Sequence, residues 1–221
     1  MTPGAAARLA VFDLDGTVTR SDTLQFFLAA ALRRWPLRLL RLPLLLLPLL
    51  GYACLVLDRG ALKGSVLHLL LAGLDRRQVD QLAHAFAHDV VATHLHGEAR
   101  AAIAGHLAAG DRLVLMSASP DVYVPRIATL LGFHECLCTA LRWHGEAFDG
   151  HLAGPNCRGA EKSHRLTALK ARHPGASVIA YGNTASDLDH MRSCEAAVYV
   201  NARPGTARKL AATGIHVVQW R

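Results

Sequence analysis

Two aspartates one residue apart, Asp13 and Asp15, follow the apolar run Leu9 to Phe12 and precede Gly16-Thr17. The run reads as a buried strand, and the Gly-Thr pair as the turn that ends it. Side chains at i and i+2 share a face, so both carboxylates can be aimed at one point beyond the end of a sheet. In open α/β sheets that edge is where ligands sit. Adjacent anions are costly unless a cation neutralises them, and a donor set made only of oxygen suits a hard ion such as Mg2+. An isolated Asp-x-Asp-Gly is ordinarily a solvated turn, so the reading depends on what else the chain supplies.

Three further stretches supply it. Val114 to Ser119 (VLMSAS) ends an apolar run in hydroxyls, Glu161-Lys162 opens a helix, and Ala180 to Asp187 (AYGNTASD) ends another strand. Taken in order with Ala10 to Thr19 (AVFDLDGTVT), they resemble the four motifs of the haloacid-dehalogenase superfamily of phosphohydrolases, and the resemblance covers almost the whole chain. It implies Mg2+-dependent hydrolysis of a phosphomonoester. Asp13 would be the nucleophile that forms an aspartyl-phosphate, and Asp15 the acid that protonates the leaving group and then activates water. Lys162 would neutralise charge on the phosphate and on Asp13, with Thr17, Ser117, Ala118 and Asp22 beside the substrate. Mg2+ would be held by Asp13, the backbone carbonyl of Asp15, and Asn183 and Asp187 of the last motif.

The last motif commonly begins Gly-Asp in this family, whereas this chain has Gly182-Asn183. Asparagine still offers a carbonyl oxygen, with one charge fewer, so weaker Mg2+ binding is expected. Asp22 stands nine residues after Asp13, where phosphoserine phosphatases commonly carry a glutamate that meets the substrate amine. The order FDLDGT, an aspartate, Arg33-Arg34-Trp35-Pro36-Leu37 and a leucine-proline run looks more like the phosphatidylglycerophosphate phosphatase branch. A lipid phosphate is therefore the expected substrate. The alternatives are a small soluble phosphomonoester such as phosphoserine, transfer to an acceptor other than water, and a membrane-associated scaffold without turnover.

Strands alternating with helices must position these residues, which implies an α/β fold with a doubly wound parallel sheet. Residues 1–20 and 110–221 are expected to form that catalytic core, and residues 21–109 an inserted all-helical cap over the site. Within the insert, Leu24 to Arg34, Ala61 to Ala72 and Glu98 to Ala109 read as helices, and Asp75 with Gln78 as a capping box for a helix reaching about Val91. Ser119-Pro120 reads as an N-cap with proline at the first helical position, starting a helix to Leu131 in which Pro125 is an irregularity. Cys136 to Trp143 and Ala147 to Leu152 read as a hairpin about His144-Gly145. The strands Val178 to Tyr181, Val198 to Val200 and His216 to Val218 complete the set.

The insert holds an unusual stretch. Leu42 to Leu57 carries no charge until Asp58 and is interrupted by Pro43, Pro48 and Gly51. As a helix it would be about 24 Å long, short of the roughly 30 Å hydrocarbon core of a bilayer. It can be a buried core segment, an interfacial segment or a span, and the region 35–57 is the candidate for membrane association. Arg34, Arg38 and Arg41 recur at i, i+4, i+7, which on one helix would form a stripe facing anionic headgroups.

Composition bounds the rest. With 221 residues, 52% hydrophobic and 19% charged, the chain can bury an ordinary core. Its +7 charge favours anionic partners: a phosphorylated small molecule or lipid, and an anionic membrane surface. Dispersed basic residues and 6% aromatics disfavour nucleic acid. Five cysteines without a C-x-x-C pair fit a reducing compartment rather than a disulfide framework or zinc ribbon. The thirteen histidines are scattered, and the His84/His88 pair reads as solvated helix positions. Met1 to Ala7 lacks the marks of a signal peptide, so a cytoplasmic location, peripheral on the inner face of the membrane, is expected.

Overall fold

The computed structural model describes residues 8–221; the segment Met1 to Ala7 lies outside the described residues. The chain runs β1 (Arg8–Phe12), α1 (Thr23–Arg34), a 3-10 run (Pro36–Leu45), α2 (Leu46–Ala53), α3 (Arg59–Leu71), α4 (Arg76–Thr93) and α5 (Gly97–Ala108). Then follow β2 (Arg112–Pro120), α6 (Val124–Leu130), β3 (Glu135–Thr139), β4 (Leu141–His144), β5 (Ala147–Leu152), α7 (Ala160–Arg172), β6 (Ser177–Gly182), α8 (Leu188–Arg192), β7 (Ala196–Val200), α9 (Pro204–Leu210) and β8 (His216–Val218). Six strands make one sheet in the order β3-β2-β1-β6-β7-β8, and each neighbouring pair is parallel. This is the expected doubly wound α/β sheet.

Alternation along the strands feeds two cores. Ala10, Phe12, Leu113 and Leu115 face one cluster, while Leu9, Val11, Val114 and Met116 face another that includes Leu166 and Leu169 of α7. Burial on both sides explains why these strands read as continuous apolar runs. Strand order reverses beside β1, with β2 on one side and β6 on the other. Such a switch point leaves a crevice outside the carboxyl ends of the strands, and Asp13 stands at its mouth.

Three local expectations are corrected. Ser119-Pro120 does not open a helix: both residues extend β2, and α6 starts at Val124 with Pro125 in its first turn, where a missing N–H costs nothing. The Ser119 hydroxyl is engaged elsewhere, donating to Asp15. Cys136 to Trp143 is not one hairpin strand. It divides at Ala140, so that β3 joins the main sheet and only Leu141–His144 pairs with β5.

The arginine stripe is the third. Arg34 ends α1, and the chain then turns into the 3-10 run, so the three residues share no helical face. Arg38 donates to the carbonyls of Leu70 and Ala72, and Arg41 to that of Leu69. These are the unsatisfied carbonyls at the end of α3, where a cation is also favoured by the helix dipole.

The leucine-proline run is not buried. Leu37 is 81% exposed, Leu40 79% and Leu47 71%, which removes the core reading. Pro48 lies in the first turn of α2, while Pro43 lies inside the 3-10 run and leaves out one of its i to i−3 hydrogen bonds. The helical stretch Pro36–Ala53 is long and apolar enough to cross a membrane by length and composition. However, its arginines tie it along α3, and a span would have to give up those bonds.

Candidate active site

Register brings the motifs together. Phe12 lies level with Leu115 of β2 and Tyr181 of β6, and Asp13 N–H donates to the Tyr181 carbonyl at 3.0 Å. The residues just beyond these positions therefore meet at one edge. Gly16 is needed there: its φ is +78°, and a Cβ would stand 2.0 Å from Asn183 Nδ2.

Lys162, in the first turn of α7, is the electrostatic centre. Its Nζ donates to Asp13 Oδ1 at 2.6 Å and to Asp187 Oδ1 at 2.7 Å, and all three residues are buried. Burial alone would lower the lysine's pKa, but the two carboxylates outweigh it and hold the ammonium charged. Burial pushes Asp13 up to about 7 against the pull of Lys162, and Asp187 and Asp15 push the same way. Asp187 is lowered: burial opposes its charge, but Lys162 and Thr184 support it.

Asp15 accepts from Thr23 N–H at 2.7 Å, Thr23 Oγ1 at 2.6 Å and Ser119 Oγ at 2.6 Å. Thr17 and Ser117, expected beside the substrate, are fully buried and point at the two aspartates instead. Thr17 Oγ1 donates to Asp13 Oδ2 at 3.2 Å, and Ser117 Oγ to Asp15 Oδ2 at 3.3 Å. Neither lines the cleft, because each hydroxyl lies behind the carboxylate it holds.

The cleft is about 210 Å3 in volume and is lined by Asp13, Asp15, Lys162 and Asp187 at its base and by Ala118 and Ser119 from β2. Asp22 borders it while capping α1 through Leu24 N–H. Burial and the neighbouring Asp15 raise the Asp22 carboxyl above its ordinary range. Sequence reasoning missed the other wall: Arg59 and Lys63 from α3, and Arg158 before α7. Lys63 Nζ donates to the Ala118 carbonyl at 2.6 Å and Asn156 Oδ1 at 2.8 Å. Burial lowers its pKa to about 8, although Asp15 and Asp22 oppose the shift. The only sequence signal was a pair of cations four residues apart with no acidic partner.

The residues fit Mg2+. Asp13 and Asp187 share one ammonium, Asp15 adds a third carboxylate near Asp13, and Asn183 Oδ1 is buried with no hydrogen-bond partner among the described residues. An orphaned buried acceptor beside an anionic cluster is what a hard cation satisfies. Asn183→Asp, which adds a charge without changing shape, is expected to lower the Mg2+ concentration for half-maximal rate on the order of tenfold. A Mg2+ titration of the rate checks this, and no movement would take Asn183 out of the ligand set.

The sequence and the fold have known counterparts. Residues 10–192 match the family model for haloacid dehalogenase-like hydrolases. The chain belongs to that family and is a hydrolase of it. It is 34% identical over 184 residues to Protein CicA of Caulobacter vibrioides, covering 82% of this chain and 80% of that one. It is 29% identical over 238 residues to the Mycobacterium tuberculosis protein named "Probable phosphatase Rv3661", covering 99% of this chain and 79% of that one. Among solved structures, a protein of unknown function from Bordetella pertussis Tohama I superimposes with a TM-score of 0.81 at 23% identity, over 97% of this chain and 99% of that one. A substrate-bound phosphoserine phosphatase does so with a TM-score of 0.66 at 16% identity, over 97% and 94%. These two share the fold.

Proposed function

We propose that this protein is a Mg2+-dependent phosphomonoester hydrolase of the subclass with a helical cap, acting through an aspartyl-phosphate on a phosphorylated lipid such as phosphatidylglycerophosphate. The Asp13–Lys162–Asp187 cluster at the switch point carries the reaction class. Asp13 attacks phosphorus, and the bond from phosphorus to the alcohol oxygen breaks as Asp15 delivers a proton to that oxygen. Asp15 then takes a proton from the water that cleaves the aspartyl-phosphate, returning Asp13 and inorganic phosphate. Asp13, the Asp15 carbonyl, Asn183 and Asp187 would hold Mg2+, which would neutralise charge on the phosphoryl oxygens. Thr17 and Ser117 orient the two aspartates, and Lys162 compensates charge on Asp13.

The substrate class rests on α3. Its first turns place Arg59 and Lys63 in the cleft, while its far end carries the exposed leucine segment. A headgroup with a second anionic group meets the cleft cations, and acyl chains leave toward Leu57. The clustered apolar exposure from Leu37 to Val56, interrupted by Arg38, Arg41 and the buried Pro48, exceeds the single leucines ordinary on soluble surfaces. An interfacial seat on the cytoplasmic face of the membrane accommodates it, and the five free cysteines fit that compartment. Phosphoserine-like substrates are the second reading, favoured by Asp22 at the cleft, where it can meet an amine.

Phosphate release from phosphatidylglycerophosphate in mixed micelles, set against phosphoserine, lysophosphatidate and nucleotides with and without Mg2+, tests the assignment. Turnover of the lipid at least about tenfold above phosphoserine in kcat/KM, the equivalent of about 1.4 kcal/mol, is expected. The reverse order would transfer the assignment to the soluble substrate. Lys63 adds a pH signature. Its charge is lost as pH rises through about 8, so KM for the anionic substrate should climb there, and Lys63→Met should raise KM at neutral pH and remove that rise.

Flotation with liposomes checks the surface. Because Arg38 and Arg41 are spent on α3 carbonyls, binding is expected to depend on the leucines. Leu40→Gln with Leu47→Gln should abolish flotation, while salt reduces it little. Binding that salt eliminates and the leucine changes spare would overturn the apolar seat.

A further inference from the structure

Away from the cleft, α3 and the β4–β5 hairpin bring three more side chains to one point. His68 comes from α3, Asp149 and His151 from β5. Nδ1 of His68 is 2.8 Å from the Asp149 carbonyl oxygen and 3.1 Å from Asp149 Oδ1, and Nδ1 of His151 is 2.9 Å from the same Oδ1. The three donor atoms lie within 4.8 Å of one another. The carboxylate is buried, while the imidazoles are 44% and 40% exposed, so an ion has a way in and a buried anion to meet. The other carboxylate oxygen is held by Arg142 Nε, which leaves Oδ1 turned to the histidines. Backbone contact sets the spacing. Gly150, between the two β5 ligands, has φ +89°, and a Cβ there would lie 2.7 Å from the backbone nitrogen of His68. Only glycine lets β5 approach α3 so closely.

We propose that His68, Asp149 and His151 form a binding site for a divalent transition-metal ion, best suited to Zn2+, that bridges α3 to the hairpin. Two imidazole nitrogens and one carboxylate oxygen make a borderline donor set, which takes Zn2+ in preference to Mg2+. Bonds of about 2.0–2.1 Å in tetrahedral geometry put neighbouring donors roughly 3.4 Å apart. The two donor pairs at Asp149 thus need to open by only a few tenths of an ångström. Without metal, Nδ1–H of His68 and of His151 donates to Asp149; to bind Zn2+ each ring takes its Nε2–H tautomer, the proton passing from Nδ1 to Nε2 through solvent and freeing the Nδ1 lone pair for the ion. Water completes the fourth position on the exposed side. His68 and His151 also border the apolar pocket formed by Leu44, Leu47, Pro48 and Leu57. The ion would therefore fasten the base of the leucine segment to the hairpin. The site is independent of the phosphatase assignment, since none of its residues lines the cleft.

The test uses the full chain, stripped with chelator and returned to excess Mg2+. Calorimetric titration with Zn2+ should show one site per chain that Mg2+ does not displace. Co2+ should give the intense visible absorption of a four-coordinate ion, and Zn2+ should raise the melting temperature. His68→Ala and His151→Ala should each weaken Zn2+ binding at least about tenfold and abolish the Co2+ band. His84→Ala with His88→Ala, on α4, should leave both unchanged. His68→Gln, which keeps a polar side chain, should lose metal while retaining the near-UV circular dichroism of the parent, separating ligation from misfolding. Absence of saturable Zn2+ binding, or binding indifferent to His68→Ala and His151→Ala, would reduce the cluster to a hydrogen-bond network and overturn the proposal.

Discussion

Asp13→Asn is expected to reduce phosphate release at least about 10^4-fold, because an amide cannot attack phosphorus and no other carboxylate stands in its place. Asp15 is held by Thr23 and Ser119, and Asp187 by Lys162 and Thr184. The variant should nevertheless fold. Asparagine keeps the shape, Lys162 retains Asp187 as a partner, and one of three crowded carboxylates is removed. Because the folded-state pKa of Asp13 is raised from 3.8 to about 7, its protonated form favours the metal-free fold. That contribution is fully present below about pH 4 and is lost as pH rises through about 7. Asp13→Asn should therefore lack this decline and melt at or above the parent temperature at pH 8 in chelator. Near-normal turnover by this variant would end the assignment of Asp13.

Lys162→Met should have the largest effect on stability. It leaves Asp13 and Asp187 buried without their shared cation, and removing one partner of a buried ion cluster costs about 3–5 kcal/mol. Rate should also fall about 10^2–10^3-fold, the usual loss when one preorganised electrostatic contact to the reacting group is removed. Mg2+ supplies charge to the same carboxylates, so it should recover part of the melting temperature and little of the rate. Denaturant titration with and without Mg2+ measures the first effect. A loss below about 1 kcal/mol, the range of an exposed pair, would show that Lys162 is not the charge partner the geometry makes it.

What could be read from the chain was what local pattern dictates. The strands β1, β2 and β6 follow from their apolar runs, although β2 continues past the expected end at Met116 to Pro120, and the Asp75/Gln78 capping box forms as its spacing requires. Ser119-Pro120 misled because its local signal, cap then proline, lost to a long-range one: the Ser119 hydroxyl is drawn to Asp15, 104 positions away. Arg38 and Arg41 misled likewise, since only the folded chain brings the end of α3 to them. Thr17 and Ser117 were expected to face the substrate, but the direction of a hydroxyl depends on which acceptor lies nearest, and here that is Asp13 and Asp15. Arg59, Lys63 and the His68–Asp149–His151 cluster gave no usable signal. Each depends on α3 packing against elements far along the sequence, and no spacing within a single element encodes that.

The most direct measurement of the central claim is the identity of the side chain that carries phosphate. The enzyme is mixed with whichever radiolabelled phosphomonoester of the panel turns over fastest, with Mg2+, and quenched in acid during turnover. Borohydride reduction then converts an acyl phosphate to an alcohol that peptide mass spectrometry can locate. One acid-stable, base-labile label per chain is expected, reduced at position 13 and absent from Asp13→Asn. Label at Asp15, Asp187 or a histidine, or steady turnover with no trapped phosphoenzyme under any quench, would contradict it.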